Sequence, residues 1–173
     1  MEVVIDNFLP EYQFKQLSNV ILSDYFPWYW NDGVVRGHGD VNNSKSYQFT
    51  HRIFDLADRG ILSDDYSVCD TLQQRLGVRK LDRIKMNLTP RTFFHRQGGM
   101  HTDLPGLTSI QKTAIFYVNT NNGWTEFKKG GKVKSVANRI VIFDSNTEHT
   151  GVTCTNEKRR VIVNFNYDVL RGN

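Results

Sequence analysis

Three short runs of β-branched and aromatic residues in the second half of the chain narrow the possible folds to a few. They read TAIFYV (113–118), RIVIF (139–143) and RVIVNFNY (160–167). Residues of these types favour β-strands. Turn-forming segments separate the runs, namely NTNNG, KKGGK, DSNTEHTG and CTNEK. Several short strands with tight connections predict an antiparallel barrel or sandwich.

The first half of the chain carries signals for two helices. The segment LPEYQFKQLSNVILS (9–23) places three apolar residues on one helical face, Phe14, Leu17 and Ile21. The segment SDDYSVCDTLQQRLG (63–77) begins with Ser63, a residue typical of helix N-caps, and ends with Gly77, a residue typical of C-caps. Helices in this position predict a layer that covers one sheet of the barrel.

The chain of 173 residues is long enough to bury one core, so residues 1–173 are predicted to form a single domain. Its fold class is mainly β with N-terminal helices (α+β). Residues 1–80 form a helix-rich supporting part, and residues 81–170 form the barrel core with the functional site.

The composition of the chain indicates its cellular compartment and makes some classes of partner improbable. The net charge is +4, and the basic residues are spread along the chain rather than gathered in a block long enough to indicate nucleic acid. The two cysteines, Cys69 and Cys154, form no metal or disulfide framework. The N-terminal residues lack a signal-peptide pattern, and no apolar run reaches the ~20 residues of a membrane span. We therefore expect a cytoplasmic protein without a membrane segment.

The segment MHTDLPG (100–106) places His101 and Asp103 two residues apart. On an extended strand such residues point the same way, with Cα atoms about 6.6 Å apart. His149, after the run RIVIF, offers a third ligand. Two histidines and one carboxylate, with positions left open, are typical of non-haem Fe(II) oxygenases, whereas zinc more often takes three histidines or a cysteine. The alternative is a histidine in a turn, hydrogen-bonded to Asp103.

Alternation within RVIVNFNY places three apolar residues on one face, Val161, Val163 and Phe165. Arg160 lies on the opposite face, which would look into the barrel. A guanidinium there needs a carboxylate partner, and a dicarboxylic cosubstrate supplies one. A one-residue slip would place Arg159 inside instead, so both remain open, with Arg160 preferred. Tyr117 could donate to the same carboxylate, or could be a core tyrosine.

These segments together resemble the Fe(II)- and 2-oxoglutarate-dependent dioxygenases. The similarity covers residues 81–168 and is strongest to the prolyl 4-hydroxylase-like branch, including its small bacterial and phage-type members. It rests on HTD, AIFYVN, GWTEF, RIVIFDSNTEHTG and RRVIVNFNY. The resemblance implies a double-stranded β-helix, a jelly-roll or cupin-like barrel, with helices packed on the outer face of the major sheet.

The resemblance also implies a chemistry and its residues. His101, Asp103 and His149 match the catalytic metal ligands, and three residues match cosubstrate-binding positions, Arg160, Tyr117 and Thr125. The implied cofactors are Fe²⁺, 2-oxoglutarate as cosubstrate, and O₂. Oxidative decarboxylation of 2-oxoglutarate would be coupled to hydroxylation of a substrate. A prolyl residue in a peptide or protein is the leading candidate, and a small molecule is the other.

Two positions depart from the family pattern. Trp124 stands where the second glycine of the family's GGET turn would be, and KMNLTP (85–90) lacks the tyrosine that often precedes the HxD motif. Asn87 or Thr89 could substitute for that tyrosine.

Two other functions stay open. One is a non-catalytic barrel that binds a metal or a carboxylate. The other is a nucleic-acid-directed oxygenase, supported by the lysines of FKKGGKVK (127–134) and by Trp28 and Trp30, if these are exposed. Such a hairpin is ordinarily a solvated turn, and core positions are preferred for both tryptophans, so a nucleic-acid partner is not expected. Segments 31–47 and 91–100 are expected to be loops that govern specificity. The oligomeric state is not predicted.

Overall fold

A computed structural model describes residues 2–33, 47–103 and 111–169. In these ranges the chain forms two α-helices, one 3₁₀-helix and eleven strands. Their order is β1 (Val3–Ile5), α1 (Glu11–Ile21), β2 (Tyr29–Asp32), β3 (Tyr47–Asp55), β4 (Gly60–Ile61), the 3₁₀-helix (Asp64–Cys69), α2 (Asp70–Leu76), β5 (Val78–Pro90), β6 (Gln111–Tyr117), β7 (Trp124–Phe127), β8 (Lys132–Lys134), β9 (Arg139–Asp144), β10 (His149–Val152) and β11 (Arg159–Val169).

The strands form two antiparallel sheets. The major sheet has the order β1-β9-β6-β11-β5-β3-β2, with β4 paired to β3, and the minor sheet has the order β10-β7-β8. Two isolated bridges, Gln97 to Val152 and His101 to His149, add the segment 97–101 along the other edge of β10. This arrangement is the expected double-stranded β-helix, so the predicted fold class is confirmed.

Two clusters of apolar side chains define the layers. The larger one joins α1 and α2 to the outer face of the major sheet, and it includes Leu17, Ile21, Leu72, Leu76, Ile84, Met86, Phe116, Val161, Val163 and Phe165. The smaller one fills the space between the sheets, with Ile115, Tyr117, Phe127, Val133, Val141, Phe143 and Ile162. The helices therefore pack on the outer face as expected, and residues of β11 alternate between the two clusters.

The strand β3 shows what the sequence analysis missed in residues 1–80. Several of its buried residues are polar, namely Gln48, Thr50 and His51. These residues conceal the apolar alternation by which a strand is recognised. Strands β1 to β4 all join the major sheet, so the first 80 residues supply part of the barrel as well as its helices.

The second predicted helix has the predicted caps but a different first half. The Ser63 hydroxyl accepts the backbone N–H of Asp65 at 3.0 Å, and Gly77 takes the left-handed conformation with φ 62°. Residues Asp64–Cys69 form a 3₁₀-helix, and the α-helix occupies only Asp70–Leu76.

Two further expectations concern tryptophans and loops. Trp28 packs against the larger cluster, as predicted. The core prediction is wrong for Trp30, which is 56% exposed and stacked on Tyr47. Of the expected loop 31–47, residues 34–46 lie outside the described residues.

In the part of the chain that the structure describes, no helix has the length and apolarity to cross a bilayer.

Candidate metal and carboxylate site

His101 and His149 are direct cross-strand neighbours on the minor sheet. The backbone N–H of His101 donates to the carbonyl oxygen of His149 at 3.0 Å, and the reverse bond is 2.9 Å. Paired positions in an antiparallel ladder project to the same face. The two imidazole centroids consequently lie 4.8 Å apart inside the barrel.

Backbone carbonyl groups fix the tautomer of both rings. Nδ1 of His101 lies 2.9 Å from the oxygen of Gly99, and Nδ1 of His149 lies 2.9 Å from the oxygen of Thr147. A carbonyl oxygen can only accept, so each Nδ1 carries the proton and each Nε2 presents its lone pair. This is the orientation that a metal-binding histidine requires.

Asp103 completes a compact set of ligand atoms. Its two carboxylate oxygens lie 3.8 Å from Nε2 of His101 and 3.8 Å from Nε2 of His149. All three ligand atoms fall within 4.8 Å of one another. The structure thus brings together the three residues that the sequence proposed as ligands.

Three donors from the opposite sheet hold the Asp103 carboxylate. Arg83 donates to Oδ1 at 3.1 Å, and Asn164 and Asn166 donate to Oδ2 at 3.1 and 3.2 Å. Burial alone would raise the pKa of Asp103, but the charge that His149 carries when protonated, the charge of Arg83 and the Asn164 hydrogen bond outweigh it and lower the pKa to about 2. The carboxylate is therefore ionised.

His149 has the opposite electrostatic bias. Burial disfavours its charged form and lowers its pKa from the ordinary value, although Asp103 partly opposes this effect. A neutral imidazole is the form that binds metal ions. His149 and Asp103 accordingly favour the protonation states that a metal ion requires.

A cavity of about 500 Å³ opens between the two sheets and contains this group. Its major-sheet wall is formed by β5 and β11, which carry the cross-strand pairs Arg83–Asn166, Lys85–Asn164, Asn87–Ile162 and Thr89–Arg160, and all of these residues except Asn166 line the cavity. The ladder begins beside Asp103, which we call the metal end, and finishes at Arg160, which we call the arginine end.

Arg160 is buried at the arginine end. Its Nε donates to the Ser135 hydroxyl at 2.9 Å, and its Nη2 donates to the Thr125 hydroxyl at 3.1 Å. Among the described residues, no carboxylate forms an ion pair with it. Arg159 turns the other way and donates to the carbonyl oxygen of Leu22. Of the two candidate arginines, Arg160 is the one that lines the cavity.

Thr125 and Tyr117 stand one behind the other. Thr125 lines the cavity, and its Oγ1 accepts hydrogen bonds from both Arg160 and the Tyr117 hydroxyl, the latter at 2.7 Å. These bonds leave the threonine proton to be donated to a ligand. Tyr117 is fully buried in the smaller cluster and is not one of the described cavity-lining residues, so it supports Thr125 from behind.

Gly123 is a site residue that the sequence analysis did not single out. A Cβ atom there would lie 2.7 Å from the carbonyl oxygen of Val152 and 2.9 Å from Cδ of Arg160. Only glycine leaves room for the arginine. The neighbouring Trp124 does not obstruct the cavity, because its ring packs on His95 and beneath the Lys132 ammonium group.

Three polar atoms of the cavity wall have no hydrogen-bond partner although they are buried: Asn87 Oδ1, Thr89 Oγ1 and Asn164 Oδ1. Buried polar groups are nearly always paired, so the hydrogen bonding of this part of the wall is incomplete in the protein alone. Asn87 and Thr89 are the residues proposed to replace the missing tyrosine. The sequence analysis did not propose three of the site residues, Arg83, Asn164 and Asn166. Every second residue of β5 and of β11 faces the interior of the barrel, and this alternation is the pattern that could have identified them.

No protein-family model matches the sequence, and no curated protein matches it. Solved structures do share its fold. A prolyl hydroxylase from Trichoplax adhaerens, in complex with a hypoxia inducible factor oxygen degradation domain peptide fragment, is 18% identical, with a TM-score of 0.64 over 96% of this chain and 83% of its own.

Two bacterial structures extend the similarity. A 2OG-Fe(II) oxygenase family oxidoreductase from Burkholderia pseudomallei is 11% identical, with a TM-score of 0.68 over 99% of this chain and 86% of its own. A Pseudomonas putida prolyl-4-hydroxylase is 16% identical, with a TM-score of 0.61 over 98% and 92%. At such identities the similarity establishes a shared fold.

Proposed function

We propose that this chain is an Fe(II)- and 2-oxoglutarate-dependent dioxygenase that hydroxylates its substrate. One observation carries the proposal: His101, Asp103 and His149 present their ligand atoms to one point, in the same cavity as a buried guanidinium that lacks a carboxylate partner. The fold, which it shares with such oxygenases, supports the same conclusion.

The ligand set fits Fe(II) better than structural zinc. Two imidazole nitrogens and one carboxylate oxygen fill three positions of an octahedral ion and leave the others open. A structural zinc site closes its coordination with four protein ligands, often cysteines. Among the described residues, this candidate site has three ligand side chains, and none of them is a cysteine.

The arginine end fits a dicarboxylate. Arg160 offers a planar pair of N–H donors to the far carboxylate, and Thr125 adds a hydroxyl beside it. Thr89 and Asn87 then face the middle of the molecule with their unpartnered atoms. Bound together, Fe(II), 2-oxoglutarate and O₂ supply the oxidising chemistry, in which 2-oxoglutarate is decarboxylated to succinate.

The chain itself orients the metal ligands and the cosubstrate, and it restricts the access of water to them. The Asn164 and Asn166 amides hold Asp103 in place, and backbone carbonyls hold the imidazoles. Apolar side chains, Ile115 and Ile162, line the cavity between the two ends. The protein contribution is thus positioning and exclusion of competing reactions.

For the substrate, we propose a prolyl residue in a peptide or protein. The support is the occurrence of prolyl hydroxylases among the structures of this fold, one of them with a peptide bound. The fold alone does not fix the substrate, so a small molecule is the alternative that the experiment distinguishes.

The test measures succinate formed from 2-oxoglutarate with added Fe(II), with proline-containing peptides and small amino acids as substrates. The wild-type chain is expected to form succinate and to add one oxygen atom to the accepted substrate, whereas a His149→Ala variant forms none. If the wild type binds the metal but produces no more succinate than His149→Ala, the chain is a non-catalytic binding barrel.

A further inference from the structure

We propose that Asn164 is a specificity-determining residue, whose side-chain oxygen accepts a hydrogen bond from an amide N–H of the substrate beside the oxidised carbon. This inference rests on the proposed function and names a group that the substrate must carry. It comes from a comparison of two asparagines of β11, which hold the same carboxylate but differ in what their oxygens contact.

Asn164 and Asn166 have one role in common. Both side chains donate to Oδ2 of Asp103, at 3.1 and 3.2 Å. An ionised carboxylate can only accept, so these bonds establish which end of each amide is the NH₂ group. The other end of each amide, Oδ1, is therefore an acceptor.

The two Oδ1 atoms differ in their partners. That of Asn166 accepts the Nε–H of Arg83 at 2.9 Å, and Asn166 is fully buried outside the described cavity lining. That of Asn164 has no hydrogen-bond partner among the described residues, although Asn164 lines the cavity and is only 6% exposed. Acceptors buried to this degree are nearly always paired, so we infer that a molecule in the cavity supplies the donor.

The cosubstrate does not meet this requirement. The two carboxylates and the keto group of 2-oxoglutarate are all acceptors at neutral pH, and two acceptors form no hydrogen bond. The other unpartnered wall atoms differ in this respect. The Thr89 hydroxyl can donate, and the Asn87 amide has a donor end as well as its oxygen. Of these three residues, Asn164 is the one whose open atom requires a donor from another molecule.

The flanking strands do not supply the donor. Lys85, the cross-strand neighbour of Asn164 on β5, forms no hydrogen bond with its Oδ1. The neighbour on β6 is Ile115, whose apolar side chain also lines the cavity. A cationic ligand group is disfavoured, because the guanidinium of Arg83 lies against the same carboxylate and the proposed ion is divalent. The donor that suits this place is a neutral N–H.

In a peptide substrate, the amide that follows the oxidised proline provides such a group. Proline has no N–H of its own, and this next N–H is separated from the ring only by the prolyl carbonyl carbon. Water in the cavity is the competing donor, and the two make different predictions. A site built to bind a substrate N–H rejects an analogue that lacks it, because the buried acceptor is then left unpaired. A site whose acceptor binds water does not discriminate in this way.

The experiment measures fluorescence anisotropy with the chain saturated with Mn(II) and 2-oxoglutarate, so that binding is observed without turnover. The labelled probe is the proline-containing peptide that yields the most succinate with Fe(II). In a first analogue, the residue after proline is replaced by its α-hydroxy acid, which puts an ester oxygen in place of the N–H. A second analogue has the same replacement at a residue further from the proline. We expect the first analogue to bind about tenfold more weakly than the peptide, a difference of ~1.4 kcal/mol, and the second to bind like the peptide.

Two matched substitutions locate the effect. Asn164→Leu removes the open acceptor together with one donor to Asp103, so the peptide and its first analogue should then bind alike. Asn166→Leu also removes one donor to Asp103 but leaves Asn164 in place, so the difference between the two probes should remain. Saturation with Mn(II) compensates for a loss of metal affinity, and circular dichroism checks that each variant is folded.

Equal binding of the peptide and the first analogue by the wild-type chain would overturn the inference, whether or not the variants fold. A difference that persists in Asn164→Leu, or that disappears in folded Asn166→Leu as well, would also overturn it, because the effect would then not depend on the acceptor. Succinate formation with Fe(II) is measured on the same samples. If succinate forms without the expected difference, or only with substrates other than peptides, this inference fails and the oxygenase assignment stands. If no substrate gives succinate, the proposed function fails with it.

Discussion

The two ends of the cavity differ in how completely their polar groups are paired. At the metal end each histidine donates to a backbone carbonyl, and Asp103 accepts from three side chains. At the arginine end, Thr89 Oγ1 has no partner, and Arg160 has hydroxyl partners but no described carboxylate. At the metal end the three candidate ligands are all held by hydrogen bonds before anything binds, whereas at the arginine end the buried charge of Arg160 still lacks a carboxylate partner among the described residues.

This difference affects the stability of the free protein at Arg160, whose buried charge has no described carboxylate partner. A buried charge without a counter-ion destabilises a folded protein, and a ligand that supplies the counter-ion recovers that free energy on binding. Removal of the Arg160 charge should therefore weaken cosubstrate binding without weakening the fold. Substitutions at the metal end should weaken ion binding.

The largest effect is expected for Arg160→Met. Loss of the guanidinium should weaken 2-oxoglutarate binding by about 30-fold or more, as for a buried charge pair worth about 2–5 kcal/mol. The melting temperature without cosubstrate should stay the same or rise, because a buried charge is replaced by an apolar chain. Calorimetric titration with Mn(II) present and thermal unfolding measure the two quantities.

Arg159→Met is the matched control for this prediction, since that side chain faces the helices and bonds to Leu22. It should leave 2-oxoglutarate affinity unchanged. Unchanged affinity in Arg160→Met, together with a lower melting temperature, would show that Arg160 has a purely structural role.

Gly123→Ala should have the next largest effect. The new Cβ would meet a backbone oxygen at 2.7 Å and Arg160 Cδ at 2.9 Å, so the arginine must move. Overpacking of this kind destabilises the fold by ~1–3 kcal/mol, and the displacement of the guanidinium should separately lower 2-oxoglutarate affinity by about 20-fold. Gly151→Ala is the milder control, because its Cβ would lie 3.4 Å from a terminal nitrogen of Arg160. Equal effects of the two substitutions would contradict the explanation.

The substitution Asn164→Leu tests how the metal end depends on the hydrogen bonds that hold Asp103. Removal of one donor to Asp103 should reduce Mn(II) affinity by about tenfold, the lower bound for groups that orient metal ligands. The 2-oxoglutarate affinity of the metal-saturated protein should change much less. Titration with Mn(II), followed by electron paramagnetic resonance of the free ion, measures this. A larger loss of cosubstrate than of metal affinity would reverse the assignment of the two ends.

The smallest effect is expected for Thr89→Val. Because the hydroxyl has no partner in the free protein, its removal should not lower the melting temperature. Loss of one hydrogen bond to the cosubstrate should reduce 2-oxoglutarate affinity by about fivefold, or ~1 kcal/mol. The same titration measures it. A clear loss of stability without a change in affinity would mean that the hydroxyl serves the fold.

Local patterns in the sequence were sufficient to predict three strands of the barrel, β6, β9 and β11, and to propose His101, Asp103 and His149 as one group, which the structure brings together. The alternation in β11 places Arg160 toward the cavity and Val161 toward the helices, and the structure has both in those positions. His149 was found because it follows a strand with strong β-forming residues. These features depend on neighbours within one segment, which a single sequence displays.

Other features depend on pairing between segments, which a single sequence does not display. The role of Asn164 follows from β11 facing Asp103 across the barrel, and the requirement for Gly123 follows from the path of the Arg160 side chain. Strand β3 was missed because it buries polar residues, and Trp30 was misplaced because its ring stacks on Tyr47 instead of entering the core.

Among the described residues, the segment 97–101 joins the minor sheet through two isolated bridges, one of them between the paired histidines. An edge attached so sparsely is expected to open in local fluctuations more often than the long strand β11. An ion bound to both imidazoles would link the segment 97–101 to β10 and oppose their separation. Amide hydrogens of His101 and His149 should then exchange slowly in the metal-loaded protein and much faster after chelation, while those of β11 exchange at the same rate in both.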